Sequence, residues 1–211
     1  MDIKVSDIIL EILELFLSDL EDSVYPRKVE RLTGMSHRSA SLNLKKLSKL
    51  KVLREKKSGK ENYYFLNVEN SLTINFLCFA EARKFVKNIE MLPKKVKEVV
   101  KELQNRFSRL CPQTILGCVI FGSYAKGYYK EDSDLDLLIL VSSKKIDEIE
   151  EINKDLTRIW GVEISPLFMT LSDLRKNLEE KNPTLMEIIN NHLIVLGGEN
   201  FLLEVIKWKR G

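Results

Sequence analysis

Long apolar runs are missing from this chain of 211 residues: no stretch approaches the roughly 20 residues that cross a bilayer, and Met1-Asp2-Ile3-Lys4 begins no signal peptide. Cysteine is scarce. Cys78, Cys111 and Cys118 are an odd number in no metal-ligand spacing, and they read as buried thiols in a reducing compartment. There are two histidines, His37 and His192, too far apart in sequence and setting to suggest a metal pair, and His192 opens an apolar run as a structural residue does. These absences exclude a helical membrane protein, a disulfide-built secreted scaffold and a His/Cys zinc site. The expected location is cytoplasmic, with no membrane partner.

Apolar residues make up 44% of the chain and charged residues 31%, which fits a soluble globular protein rather than a disordered one. The net charge of +3 conceals an asymmetry. Residues 26–67 carry twelve Lys or Arg against three Glu, whereas residues 113–199 carry nine against fifteen Asp or Glu. A basic front and an acidic back imply two modules with different partners.

In the basic module, residues 5–18 have the spacing of an amphipathic helix, and PRKVERLTG fits a short second helix between Pro26 and Gly34. Ser36 can cap a third helix, in which Ala40, Leu44, Leu47 and Leu50 form one stripe while His37, Arg38, Ser41 and Lys45 face away. Two strands follow, Val52–Lys56 and Tyr63–Val68, joined by a Lys-Gly-Lys turn. Three helices and a basic hairpin resemble a winged helix-turn-helix. That resemblance implies double-stranded DNA as a partner, with the third helix in the major groove and Lys56, Lys57 and Lys60 on phosphates. Two residues depart from the pattern: Leu42 replaces a polar residue, and Lys51 replaces the glycine that turns the chain into the wing. A packing or dimerisation domain with a solvated basic face is the alternative.

Residues 71 to about 110 read as helix, interrupted at Met91-Leu92-Pro93. The first piece is too apolar for a bare spacer, so it packs on a module or supplies a homodimer surface. Trp160 and Trp208 read as core.

The acidic module poses a physical question. Asp134 and Asp136 lie one residue apart at the mouth of the aliphatic run Leu135–Val141, hence on one face of a strand. Two like charges there need a positive partner, a salt bridge or a metal ion. If Thr114–Phe121 pairs antiparallel with that strand, Gly122-Ser123 lies beside the aspartates, where a glycine admits a ligand and a helical turn's N–H groups can meet phosphate. A phosphate cradle beside paired carboxylates is the apparatus of metal-assisted phosphoryl or nucleotidyl transfer.

The stretch 122–138, G-S-x-A-K-G-x(5)-S-D-L-D-L-L, closely resembles the signature of the DNA polymerase β nucleotidyltransferase superfamily, with the likeness good over about residues 93–170. The resemblance implies that Gly122, Ser123 and Lys126 bind a nucleoside triphosphate, and that Asp134 and Asp136 hold Mg²⁺ or Mn²⁺. It also implies a third carboxylate on a later strand, which completes a metal site with the two aspartates or accepts the proton of the acceptor hydroxyl. Glu163 is the acid available there, where the family more often has Asp, and a plain edge-strand surface residue is the other reading of it.

The expected fold is α+β or α/β with two domains, a winged helix-turn-helix and a small mixed-sheet nucleotidyltransferase fold. Residues 1–70 form the first, 71–92 a linker helix and 93–211 the second. No extra domains for gripping a primer are expected, which leaves transfer of one nucleoside monophosphate to a hydroxyl of a small molecule or of a protein such as a cognate toxin. The rival is a transcriptional regulator or antitoxin whose nucleotidyltransferase fold only senses or binds nucleotide.

Overall fold

The computed structural model describes residues 5–17, 20, 22–143 and 146–210. Ser18 and Lys144, placed at helix ends by sequence pattern, lie outside that set. The chain divides into two compact units, Met1–Arg83 and Lys84–Gly211. Among the described residues no helix is long and apolar enough to cross a membrane.

The first unit opens with α1 (Asp7–Leu17), which buries Ile9, Ile12, Leu13 and Phe16 at helical spacing. Helix α2 (Pro26–Thr33) starts on proline, and α3 (His37–Lys49) is capped by the Ser36 hydroxyl, which accepts from the Ser39 amide at 3.3 Å. The expected stripe Ala40, Leu44, Leu47 and Leu50 is buried. Strands β1 (Leu53–Ser58) and β2 (Glu61–Leu66) pair antiparallel, with Ser58 opposite Glu61. The hairpin therefore turns on two residues, Gly59-Lys60, and its strands reach closer to the tip than the Lys-Gly-Lys turn implied. Val24 adds an antiparallel bridge to Tyr64. Lys51 sits in the left-handed region at φ 58°, the conformation for which glycine is usual. Its carbonyl accepts from the side-chain amides of Asn67 (2.7 Å) and Asn70 (3.0 Å), which hold the turn.

The division between the units falls within α4 (Ser71–Ile89), and α5 (Lys94–Phe107) follows, with Pro93 as its N-cap. The second unit is a mixed sheet in the order β5-β4-β3-β6, made of β3 (Ile115–Ile120), β4 (Leu135–Val141), β5 (Ile164–Thr170) and β6 (Leu193–Leu196). Strand β3 pairs antiparallel with β4 and β6, while β4 and β5 are parallel and joined through α7 (Asp147–Trp160). Leu135, Leu137, Ile139 and Val141 bury into a cluster with Val96, Val99 and Leu103 of α5 and Ile149 and Leu156 of α7. By the two-residue period of a strand, Asp136, Leu138 and Leu140 take the opposite face. Trp160 packs half-buried against the cluster, and Trp208 is half-buried.

Helices α8 (Leu171–Glu179), α9 (Pro183–Asn190) and α10 (Gly198–Arg210) complete the unit. Thr170 and Asp173 form a reciprocal capping box at the start of α8. Arg175 of α8 grips the buried Glu204 of α10 through two hydrogen bonds of 2.6 and 3.0 Å. His192 is buried, with Nδ1 3.0 Å from the Ile188 carbonyl and 3.1 Å from that of Ile189. Carbonyl oxygens only accept, so Nδ1 carries the proton and the histidine is structural.

The link from β3 to β4 is the short helix α6 (Gly122–Lys126), ended by Gly127. Gly122 has φ +65°, and a Cβ there would lie 2.0 Å from Asp136 Oδ2. Gly127 has φ +77° but faces open space. The two glycines therefore separate strain from crowding. Gly127→Ala should lose about 1 kcal/mol of stability, the left-handed penalty offset in part by a stiffer unfolded chain. Gly122→Ala should lose clearly more, because the Asp136 carboxylate must also move. Urea unfolding of the two variants measures the difference, and equal losses would contradict the close approach.

Candidate active site

The centre of the site is the head of β4. Asp134 is exposed just before the strand, and Asp136 is half-buried within it. The Phe121 amide donates to the Asp136 carbonyl at 3.0 Å, which continues the β3–β4 ladder to its last rung and sets Gly122 directly under the Asp136 side chain. Burial pushes the Asp136 carboxyl above its usual range, the negative charges of Asp134 and then Glu187 push it further, and the Lys126 ammonium works against them. The carboxylate pair thus sits in its own repulsion.

The loop that presents Asp134 is fixed from behind. Tyr124 is buried and donates its hydroxyl to the Ser133 carbonyl at 3.2 Å, and its ring stacks on Tyr129 at 4.7 Å between centroids. Tyr129 donates to the Met91 carbonyl at 3.1 Å, and the Ser133 hydroxyl accepts from the Lys130 amide at 2.8 Å. Ser123 lies half-buried at the second position of α6, and its carbonyl accepts from the Tyr128 amide at 3.2 Å. Lys126 ends the same helix. Its ammonium is 2.5 Å from Glu187 Oε1 and 5.8 Å from the centroid of the exposed Tyr128 ring.

Gly122, Lys126, Asp134 and Asp136 are thus brought together. Glu163 is placed differently. It precedes β5, its carbonyl accepts from the Leu135 amide at 2.8 Å, and the residue in register with Asp136 is Ser165. Glu163 is exposed and lines a cavity of about 730 Å³ with Lys94, Lys95, Tyr129, Lys130 and Asp132. Among the described residues no three His, Cys, Asp or Glu side chains converge as a metal-binding group. The aspartate pair is nonetheless a fitting donor set for a divalent cation: hard oxygens, one carboxylate half-buried and one exposed, carrying like charge that Lys126 offsets only in part, beside a backbone with no side chain.

Glu187 was not picked out from sequence. It lies 51 positions beyond Asp136 in the otherwise uncharged PTLMEIIN of α9, and only the packing of α9 brings it to Lys126. A single acid in that helical stretch was the available signal.

In the first unit, His37, Arg38 and Lys45 are exposed on α3 and Ser41 is half-buried there. Lys56 and Lys57 are exposed on β1, and Lys60 is exposed in the hairpin turn. Leu42 is 60% exposed among them, an apolar residue on the charged face of α3.

Comparison with known proteins agrees with this geometry. The family model described as Polymerase beta, Nucleotidyltransferase matches residues 94–200, just over half of the 211-residue chain. One Methanocaldococcus jannaschii protein, named "Putative protein adenylyltransferase", is 27% identical over 114 residues, covering 49% of this chain and 76% of its own length. A second protein of that organism with the same description is 34% identical over 74 residues, covering 33% of this chain and 75% of its own length. No solved structure matches. The family match begins at the foot of α5 and ends in the first turn of α10, so it takes in the whole mixed sheet and every residue gathered around Asp136. The chain belongs to the polymerase beta nucleotidyltransferase family and is a nucleotidyltransferase enzyme.

Proposed function

We infer that the enzyme transfers AMP from ATP to a hydroxyl group of a protein. The names of the two relatives support the adenylyl group and the protein acceptor. The observation that carries the reading is the seating of the Asp136 carboxylate against the side-chain-less backbone of Gly122, with the charge of Asp134, just before β4, acting on it.

In this reading each residue has one task. Gly122 leaves room for phosphate oxygens near the carboxylates, and Ser123 and the N–H groups around it receive them. Lys126 is within reach of the same place and adds positive charge. Asp134 and Asp136 would hold Mg²⁺ or Mn²⁺, which would supply charge neutralisation for the triphosphate and acidify the acceptor hydroxyl. The acceptor oxygen forms a bond to the α-phosphorus, the bond to the bridging α–β oxygen breaks, and pyrophosphate leaves. Glu163, just ahead of the neighbouring strand, bonded through its carbonyl to the Leu135 amide and open to solvent, takes the hydroxyl proton.

Residues 1–70 are assigned as a winged helix-turn-helix, with 71–92 as linker helix and 93–211 as the nucleotidyltransferase domain. Exposed His37, Arg38 and Lys45 on α3, and Lys56, Lys57 and Lys60 on the hairpin, support duplex DNA as the partner of the first unit.

Two measurements test these assignments. With ATP labelled on the α-phosphate, Mg²⁺ and lysate of the source cells, an acceptor protein should become labelled, and label on the γ-phosphate should not transfer. Asp134→Ala and Asp136→Ala should abolish labelling, and Glu163→Gln should cut it on the order of 10²-fold. Transfer that survives both aspartate changes would remove the pair from the mechanism. For DNA, the affinity of the full chain for duplexes should fall steeply with salt, and the Lys56→Ala, Lys57→Ala, Lys60→Ala triple variant should shallow the log–log slope by about 3. A slope unchanged by the triple variant would take the hairpin off the phosphates.

A further inference from the structure

The contact between Lys126 and Glu187 goes beyond binding and transfer. Lys126 is the cation whose charge reaches Asp136, and in this structure it is already occupied: its ammonium and Glu187 Oε1 are 2.5 Å apart, a charge-assisted hydrogen bond. The Lys126 side chain is 22% exposed and that of Glu187 43% exposed, so the pair is screened less than an open surface bridge. The hydrogen bond that Lys126 donates to Glu187 is also the first cause of the raised Lys126 pKa. Asp134, Asp136 and Glu187 together outnumber Lys126, and Glu187 acts on Asp136 with the same sign as Asp134.

A triphosphate without its metal would therefore approach three carboxylates and a lysine that one of them has already claimed. A divalent ion held at Asp134 and Asp136 would change that balance: with their charge cancelled, phosphate oxygens could compete with Glu187 for Lys126. We propose that Glu187 is a specificity-determining residue: by holding Lys126 it makes the site select the metal-bound triphosphate and reject the free one. The selection matters chemically, since a triphosphate seated without metal would occupy the cradle with neither its leaving group neutralised nor the acceptor hydroxyl acidified. Glu187 touches Lys126 and not the reacting atoms, so it acts as a positioning residue for the phosphate contact.

The inference rests on the reading of Lys126 as a phosphate contact, and the test separates the two. ATP binding to the full chain is measured by calorimetry in Mg²⁺ and, separately, in EDTA, for the wild type, Glu187→Gln, Lys126→Gln and the double variant. Wild type should bind in Mg²⁺ and scarcely in EDTA. Glu187→Gln removes one like charge and releases Lys126, so affinity in EDTA should rise roughly tenfold or more, and the ratio between the two conditions should collapse. The double variant should lose that gain, because the gain runs through Lys126. Glu187→Asp should keep the wild-type ratio in part. If Lys126→Gln leaves binding in Mg²⁺ unchanged, Lys126 meets no phosphate and both readings fall. If Lys126→Gln weakens binding in Mg²⁺ but Glu187→Gln keeps the wild-type ratio, the phosphate contact stands and the role of Glu187 is overturned. Wild type that binds ATP equally in both conditions would overturn it as well.

Discussion

Two like charges at the head of a central strand are the constraint around which the second unit is arranged. A strand at the middle of a sheet is ordinarily aliphatic, and β4 is so from Leu137 onward. At its head the same strand carries Asp136 half-buried, with Asp134 one period away. The fold accommodates this through neighbours rather than partners. Gly122 withdraws its side chain, α6 places Lys126 at the rim, and the Tyr124–Tyr129 stack holds the intervening loop so that Asp134 projects outward. Each of these raises local order without neutralising the pair. A site kept electrostatically unsatisfied in its resting state is suited to taking up a cation together with a polyanion.

What sequence could and could not supply follows from how local each signal is. The Gly122-Ser123 turn, the Lys126 position and the Asp134/Asp136 period lie within 15 residues of one another, on two adjacent strands and the link between them. Spacing was enough to set the Gly122-Ser123 turn beside the aspartates once the strands pair antiparallel, whereas Lys126 entered through the family resemblance. The antiparallel pairing of β3 with β4 enters from sequence only as a condition, and the structure meets it. The Glu163 assignment depended instead on the register of β5 against β4, across α7. The observed register puts Ser165 beside Asp136 and leaves Glu163 just ahead of β5, at the mouth of a neighbouring cavity. Glu187 depended on helix packing alone, for which no local pattern exists.

The first unit illustrates the opposite limit. Its second and third helices were readable from a stop or cap in sequence, Pro26 and Gly34 for α2 and Ser36 for α3, and α1 from its apolar spacing. The hairpin was misplaced by a residue or two because the polar run Arg54–Glu61 has no hydrophobic alternation to mark where pairing ends. Gly59, with φ +61°, decides it. Lys51 was flagged because a glycine was expected there, and the backbone does adopt the left-handed conformation, held by Asn67 and Asn70.

The most direct measurement of the central claim, that Asp134 and Asp136 wait for a shared cation, is thermal unfolding of wild type and Asp136→Asn with and without Mn²⁺. Burial and the Asp134 charge raise the Asp136 pKa in the folded state above its unfolded value. The group is therefore a burden on the fold that is absent below the unfolded pKa of about 3.9, sets in as pH rises above it and is complete above the folded pKa. Without metal at pH 7, Asp136→Asn should melt above wild type, and the difference should vanish in acid. Added Mn²⁺ should raise the wild-type melting temperature in proportion to the logarithm of its concentration and leave the variant unmoved. Wild type indifferent to Mn²⁺, with Asp136→Asn no more stable than wild type at neutral pH, would contradict the account.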